Sequence, residues 1–255
     1  MIKENQHIRI YQNRKRLSVA ALSHFVESAN QSINKKGRFT VSLAGGSTPN
    51  LLYSLLGDEA TSRLDWRKIH FFWGDERCVP PNHKDSNYLI AFRLFLSKLP
   101  IPSKNIHRIR GELPCKQAAQ MYDDLIRSFF HIPKEIQNPH TVTTFDMAIL
   151  GLGTDGHTAS LFPNKNYIND HQRLAVCVEH KEPPEPLVNR VSLTFTSFNA
   201  ASQVVFLVSG KDKARIIHQI MVTRLSQTHT LPATYINPRT GNLLWFIDKE
   251  AANRL

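Results

Sequence analysis

The chain has 255 residues, 41% of them hydrophobic, and a formal net charge of +11 from 32 Lys+Arg against 21 Asp+Glu. That length and apolar content are enough for a real core, which excludes a disordered or fibrous chain. The positive balance favours acidic partners, but no arginine-rich tract, zinc-finger spacing or aromatic–basic interleaving marks a nucleic-acid module, and none is expected.

Ile8–Tyr11 predicts a short edge strand. Leu17, Ala21, Phe25, Ala29 and Ile33 recur every four residues and predict a helix that Gly37 ends. Phe39–Ala44 (FTVSLA) predicts a strand running into Gly45-Gly46-Ser47-Thr48-Pro49, with Thr48 as helix N-cap, Pro49 in the first turn and Gly57 at the end. Ile69–Trp73 predicts a second strand, followed by Gly74-Asp75-Glu76-Arg77. Asp85-Ser86-Asn87 predicts the cap of a helix over Tyr88–Lys98, and Pro114 begins another. Phe145–Gly151 predicts a buried strand emptying into GLGTDGHT. Leu174–Val178, Arg190–Phe195, Gln203–Val208 and Leu243–Ile247 predict further strands. Gly210 and Asp212 introduce a helix, and Asp248 caps a terminal one. Strands alternating with helices predict one α/β domain over 1–255, with a mostly parallel sheet and helices on both faces.

Cys78, Cys115 and Cys177 are odd in number, far apart and without a CxxC pair. They predict no disulfide framework and a reducing compartment. The opening MIKENQHIRIYQNRKR lacks the apolar core of a signal peptide. The longest uncharged stretch, 191–210, is rich in Ser, Thr, Asn and Gln and does not read as a membrane span. The expectation is a soluble, cytoplasmic, monomeric protein without a membrane partner.

Three strands end in loops that suit chemistry: GGSTP, GDER and GLGTDGHT. In an open parallel sheet, ligands bind outside the carboxyl ends of the strands. Gly45, Gly46, Ser47 and Thr48 offer close backbone approach, hydroxyls and a helix N-terminus, which suits a phosphate; a plain helix cap is the structural alternative. Arg77 suits an anion or a developing oxyanion, and an exposed ion-pair cluster is its alternative. His157, two residues after Asp155, suits proton transfer near neutral pH; a turn capping the next helix is the alternative. Lys213 and Arg190 are candidate cations at the same rim, though a solvated side chain is the commoner outcome. Gly151, Gly153 and Gly156 match GxGxxG, but Asp155 would repel a pyrophosphate, so a dinucleotide is not expected. The twelve histidines show no HxH or HExxH spacing, and no metal site is expected.

Taken together, strand-GGSTP, WGDERCVPPNHKDSNY (Trp73–Tyr88) and LGLGTDGHTASLFP (Leu150–Pro163) resemble the 6-phosphogluconolactonase family. Asn189–Thr194, Ser209–Ala214, Leu231–Ala233 and Trp245–Asp248 extend the resemblance over nearly the whole chain. The resemblance implies a three-layer α/β/α, Rossmann-like fold and no cofactor. It implies hydrolysis of 6-phospho-D-glucono-1,5-lactone, the second step of the oxidative pentose phosphate pathway. In that setting His157 is expected to act as base on water, Asp155 to orient it and Arg77 to face the oxyanion. Gly45–Thr48, Asp75, Arg190 and Lys213 are expected to bind the substrate. Activity is then expected to fall as the imidazole takes up a proton. Two alternatives stay open: an amino-sugar phosphate deaminase or isomerase with Asp75 as base, and a non-catalytic sugar-phosphate sensor.

Overall fold

The computed structural model describes residues 6–60, 62–138, 142–165, 170–222 and 231–255. The chain opens with β1 (Gln6–Tyr11), a partly exposed strand at the sheet edge. Helix α1 (Arg14–Lys36) follows, capped by the Asn13 side chain, which accepts from the Arg16 N–H. Its apolar stripe buries Leu17, Ala21, Leu22, Phe25 and Ala29, and Lys35 and Lys36 close its last turn, where cations complement the dipole. Gly37 ends it in the left-handed conformation, φ 79°.

Strand β2 (Phe39–Leu43) is buried at every position. Helix α2 (Ser47–Glu59) then starts one residue before the predicted cap. Gly46 stands at its N-cap and no side chain caps it, so Thr48 sits inside the first turn. Strands β3 (Ile69–Trp73), β5 (Ile106–His107), β6 (Met147–Leu150), β9 (Gln203–Val208) and β10 (Asn242–Asp248) join β1 and β2 in one sheet. Its order is β1-β10-β9-β6-β2-β3-β5. All of its pairings are parallel. The fold class expected from the sequence is the one observed: a parallel sheet flanked by helices, with one large apolar cluster running through it.

The short strands fold differently from the expectation of a single sheet. Asp75–Arg77, read as a loop, is β4. It pairs antiparallel with β8 (Arg190–Leu193), and β8 pairs antiparallel with β7 (Ala175–Val178). These three form a second, smaller sheet. The tract after β10 is a turn rather than a helix, although Asp248 does accept from the Ala251 N–H.

Helix α3 (Asn87–Leu94) is capped by Ser86, whose Oγ accepts from the Leu89 N–H, and it ends before the predicted Lys98. Helix α4 (Cys115–Phe130) begins directly after Pro114. Cys115 is disulfide-bonded to Cys177 on β7, which corrects the expectation of unpaired cysteines. The two stand 62 residues apart in sequence, and only the fold brings helix and strand together. Cys78 is free.

Two buried tyrosines fix the strand ends that lead into the site. The Tyr53 hydroxyl accepts from the Ala44 N–H and donates to the Ala44 carbonyl. The Tyr122 hydroxyl does the same for Trp73. Each phenol satisfies both polar groups of a residue at a point where the sheet ladder stops. Burial raises both phenols far above their ordinary value. Among the described residues, no helix is long and apolar enough to cross a membrane.

Candidate active site

Strands β9, β6, β2 and β3 are successive neighbours in the sheet, so their carboxyl ends share one rim. A cavity of about 270 Å³ lies there. Gly45, Gly46, Ser47 and Thr48 line it after β2, His157 after β6, and Lys213 after β9. Asp75 and Arg77 reach it from β4, and Arg190 from β8. Nine of the ten residues expected from the sequence therefore meet in one wall. The tenth, Asp155, stands behind His157 and lines a separate cavity with Phe162, His180 and Lys181.

The His157 loop is held by its own backbone. Gly153 N–H donates to the His157 carbonyl at 2.8 Å, and Thr158 Oγ1 donates to the Gly151 carbonyl at 2.9 Å. Among the described residues no helix lies between β6 and β7, so Asp155 and His157 do not cap one. Asp155 Oδ1 instead lies 2.6 Å from His157 Nδ1 and also accepts from the His157 N–H at 3.1 Å. Burial works to raise the Asp155 carboxyl, but the His157 hydrogen bonds and charge outweigh it and hold the carboxyl below its ordinary value. An ionised carboxylate only accepts, so Nδ1 carries a proton towards Asp155 and Nε2 is the ring nitrogen left for other contacts. Gly153 makes this approach possible: a Cβ there would fall 2.1 Å from Nδ1 and 2.5 Å from Asp155 Oδ1.

The ring is packed from one side. Phe162 lies 4.8 Å from His157 between ring centroids, and His180 stacks on Phe162 at 4.5 Å. Arg190 stands over the same Phe162 ring. His180 Nε2 and Arg190 Nη2 both bond the Pro184 carbonyl, so the 184–186 loop is held against the cavity it lines.

Arg77 and Arg190 face each other in the β4–β8 register. Arg77 Nη1 donates to the Asp85 carbonyl, and Arg190 Nη2 to the Pro184 and Pro186 carbonyls. Both Nε groups are buried with no hydrogen-bond partner among the described residues. Burial pushes Arg190 below its ordinary value; Asp75 offsets this, and Arg77 adds to it. Two opposed arginines with unsatisfied donors are the electrostatic signature of an anion site.

Asp75 is buried, and each of its oxygens accepts a hydrogen bond. Its Oδ2 accepts from Ser160 Oγ at 2.6 Å, and its Oδ1 from Asn87 Nδ2 at 3.3 Å. Glu76, beside it, points away from the cavity and accepts from four donors: the Arg77, Asn87 and Tyr88 N–H groups and Ser86 Oγ. Burial pushes Glu76 up to about 7 against the pull of these bonds. Glu76 thereby ties β4 to the start of α3. Asn87, Ser160 and Phe162 shape the site but were not singled out in the sequence. In the sequence, Asn87 marks only part of a helix cap. Among the described residues, no group of three or more His, Cys, Asp or Glu side chains could hold a metal ion.

The chain and its fold are similar to known proteins. The family model for glucosamine-6-phosphate isomerases and 6-phosphogluconolactonases matches residues 12–245. A 6-phosphogluconolactonase from Nostoc sp. is 36% identical over 241 residues, covering 94% of each chain. A probable 6-phosphogluconolactonase 1 from Arabidopsis thaliana is 33% identical over 258 residues, covering 99% of this chain and 95% of its own. The solved 6-phosphogluconolactonase from Trypanosoma brucei superposes over 100% of both chains with a TM-score of 0.84 at 27% identity. A solved monomeric glucosamine-6-phosphate deaminase shares the fold at a TM-score of 0.79, but only 18% of the sequence. The chain thus belongs to the glucosamine-6-phosphate isomerase/6-phosphogluconolactonase family.

Proposed function

We propose that this chain hydrolyses 6-phospho-D-glucono-1,5-lactone to 6-phospho-D-gluconate, with His157 as general base. The observation that carries the proposal is the Asp155–His157 pair at 2.6 Å, set on a cavity that also holds Arg77 and Arg190. The relatives named as 6-phosphogluconolactonases support the same substrate class.

The chemistry follows from the donors and acceptors. His157 Nε2 takes a proton from water, and the water oxygen attacks the lactone C1. Charge develops on the carbonyl oxygen, which Arg77 and nearby N–H groups stabilise. As the tetrahedral intermediate collapses, the C1–ring oxygen bond breaks. The His157 imidazolium returns its proton to that leaving oxygen, so the enzyme ends unchanged. Asp155 stabilises the imidazolium and fixes its tautomer. The N-terminus of α2, with Gly45–Thr48, favours the phosphate, assisted by Arg190 and Lys213. Lys213 Nζ stands 3.1 Å from Asp212, which leaves it near the rim and partly exposed.

Asp75 argues for hydrolysis over the deaminase chemistry of the same family. Ser160 and Asn87 each hold one Asp75 oxygen, so this carboxylate anchors the wall, whereas His157 carries the ring nitrogen that hydrolysis needs. The test is lactone hydrolysis, measured above the spontaneous rate with freshly generated substrate, for the wild type and His157→Ala. Fast turnover that the substitution abolishes is expected. Full turnover in His157→Ala would overturn the assignment of the base. A folded wild-type protein without turnover would overturn the activity, and an ammonia-release assay with glucosamine 6-phosphate would follow.

A further inference from the structure

We propose that Asn87 determines specificity: its side-chain carbonyl accepts a hydrogen bond from one sugar hydroxyl of the lactone. This rests on the hydrolytic reading above. Asn87 is the first residue of α3, lines the cavity and is only 3% exposed.

The orientation of its amide is determined by what it touches. Nδ2 donates to the Asp75 backbone carbonyl at 2.9 Å and to Asp75 Oδ1 at 3.3 Å. A carbonyl and a carboxylate only accept, so the NH₂ end must face them. Oδ1 is therefore the end turned elsewhere, and it lies against Gly45, where a Cβ would come within 2.2 Å of it. The absence of that Cβ leaves the oxygen its place at the wall. Oδ1 is buried and accepts no hydrogen bond among the described residues. Buried amide oxygens in folded proteins almost always have a donor.

A substrate hydroxyl supplies that donor. The atom can only accept, so it takes an O–H and rejects an ether, carbonyl or phosphate oxygen. Its neighbours in the wall have the opposite character: Arg77, Arg190 and Lys213 are donors without acceptor capacity. The two kinds of group sort the two chemistries of one substrate, its anionic oxygens to the cations and a hydroxyl to Asn87. Asp75 holds the amide in this orientation, and Ser160 in turn holds Asp75.

The test compares the wild type and Asn87→Ala on 6-phosphogluconolactone and its 2-, 3- and 4-deoxy counterparts, each generated in situ from the deoxyglucose 6-phosphate. A site built to bond a hydroxyl rejects the analogue lacking it. The wild type is expected to lose at least about tenfold in kcat/KM on one of the three analogues. Asn87→Ala is expected to lose a similar factor on the parent lactone, show no further loss on that analogue, and keep its discrimination at the other two positions. Equal losses on all four substrates would show that Asn87 acts only by holding Asp75, and would overturn the proposal. Discrimination undiminished in Asn87→Ala would also overturn it. Ser160→Ala, which frees Asp75 but keeps the Asn87 carbonyl, is expected to retain the hydroxyl preference; loss of that preference counts against Asn87. If Asn87→Ala does not fold, Asn87→Ser replaces it with the same expected pattern. The wild type alone is decisive in one direction: turnover of the parent without discrimination at any hydroxyl overturns the Asn87 role and leaves the hydrolytic reading standing. No wild-type turnover at all overturns both.

Discussion

Arg77 and Arg190 stand directly opposite one another across the β4–β8 pair, and each keeps a buried Nε without a partner among the described residues. Like charges in directly opposed positions destabilise a sheet. An anion between them would relieve the repulsion and satisfy the donors. The folded protein should therefore be stabilised by 6-phosphogluconate, the product, at concentrations well above its Kd. At 100 times Kd the gain is about 2.7 kcal/mol, or roughly 5–10 °C in melting temperature for a chain of this size. Arg190→Met should lose most of that shift, while in the unliganded protein the relieved repulsion is set against the lost Pro184 and Pro186 bonds. Thermal unfolding of both proteins with and without product checks this, and an undiminished shift in Arg190→Met would remove Arg190 from the anion site.

The Asp155–His157 contact predicts a separate outcome. Asp155→Asn keeps the shape but lets the amide present a donor to Nδ1, which frees the ring to adopt the wrong tautomer. The expected loss is roughly 10²–10⁴-fold in kcat with little change in KM, since Asp155 lies outside the cavity wall. Because His157 holds the Asp155 carboxyl below its ordinary value, Asp155 stays ionised on mild acidification. The carboxylate partner is therefore kept across the mildly acidic range. Steady-state kinetics across pH check both points; a large KM effect with kcat preserved would mean that Asp155 binds substrate instead.

The rim was legible in the sequence because each of its loops announces itself locally. An apolar run followed by Gly45-Gly46, by Gly74 or by Gly151–Gly156 marks a strand that ends in a turn, and parallel order puts such ends together. The small sheet was not legible. Asp75–Arg77 is three residues of charge with no alternation to read, and its strand character exists only because β8 comes alongside. The same distance in sequence hid the Arg77–Arg190 opposition and the Cys115–Cys177 bond. Asn87 was hidden for another reason: in sequence it completes a helix cap, and only Asp75 on one side and Gly45 on the other fix the orientation of its amide.

Gly153 offers a clean separation of activity from stability. Its Cβ would overlap Nδ1 and Cε1 of the His157 ring and Asp155 Oδ1 rather than backbone, and both side chains can swing aside. Gly153→Ala should thus cost about 1 kcal/mol or less in stability, within the ordinary range for a substitution that disturbs no core. It should nevertheless lower kcat by roughly 10²-fold, because His157 no longer points at the reacting water. Denaturant unfolding alongside lactone hydrolysis measures the two effects. A variant that is strongly destabilised, or fully active, would contradict the geometry around Nδ1.

Far from the rim, a histidine pair should set the acid limit of the fold. His107 on β5 stacks on Phe72 with ring centroids 4.4 Å apart, and its Nε2 lies 3.1 Å from His70 Nδ1. One proton fits between those nitrogens; a second would set two N–H groups against each other. Burial, reinforced by His70, pushes His107 down to about 4. Burial also lowers His70, with Arg38 and Lys104 adding to the effect. Both folded values lie below the ordinary value of about 6.5, so between them the unfolded chain binds protons that the folded chain refuses. Stability is then fully present above pH ~6.5 and is lost as pH falls towards about 4. Both rings are partly exposed, which discounts the effect to about 1 kcal/mol, or roughly 2–4 °C. His107→Phe keeps an aromatic ring on Phe72 but cannot titrate. Melting temperatures measured from pH 7 to pH 5 should fall less steeply in His107→Phe than in the wild type, and equal slopes would mean that the acid sensitivity arises elsewhere in the fold.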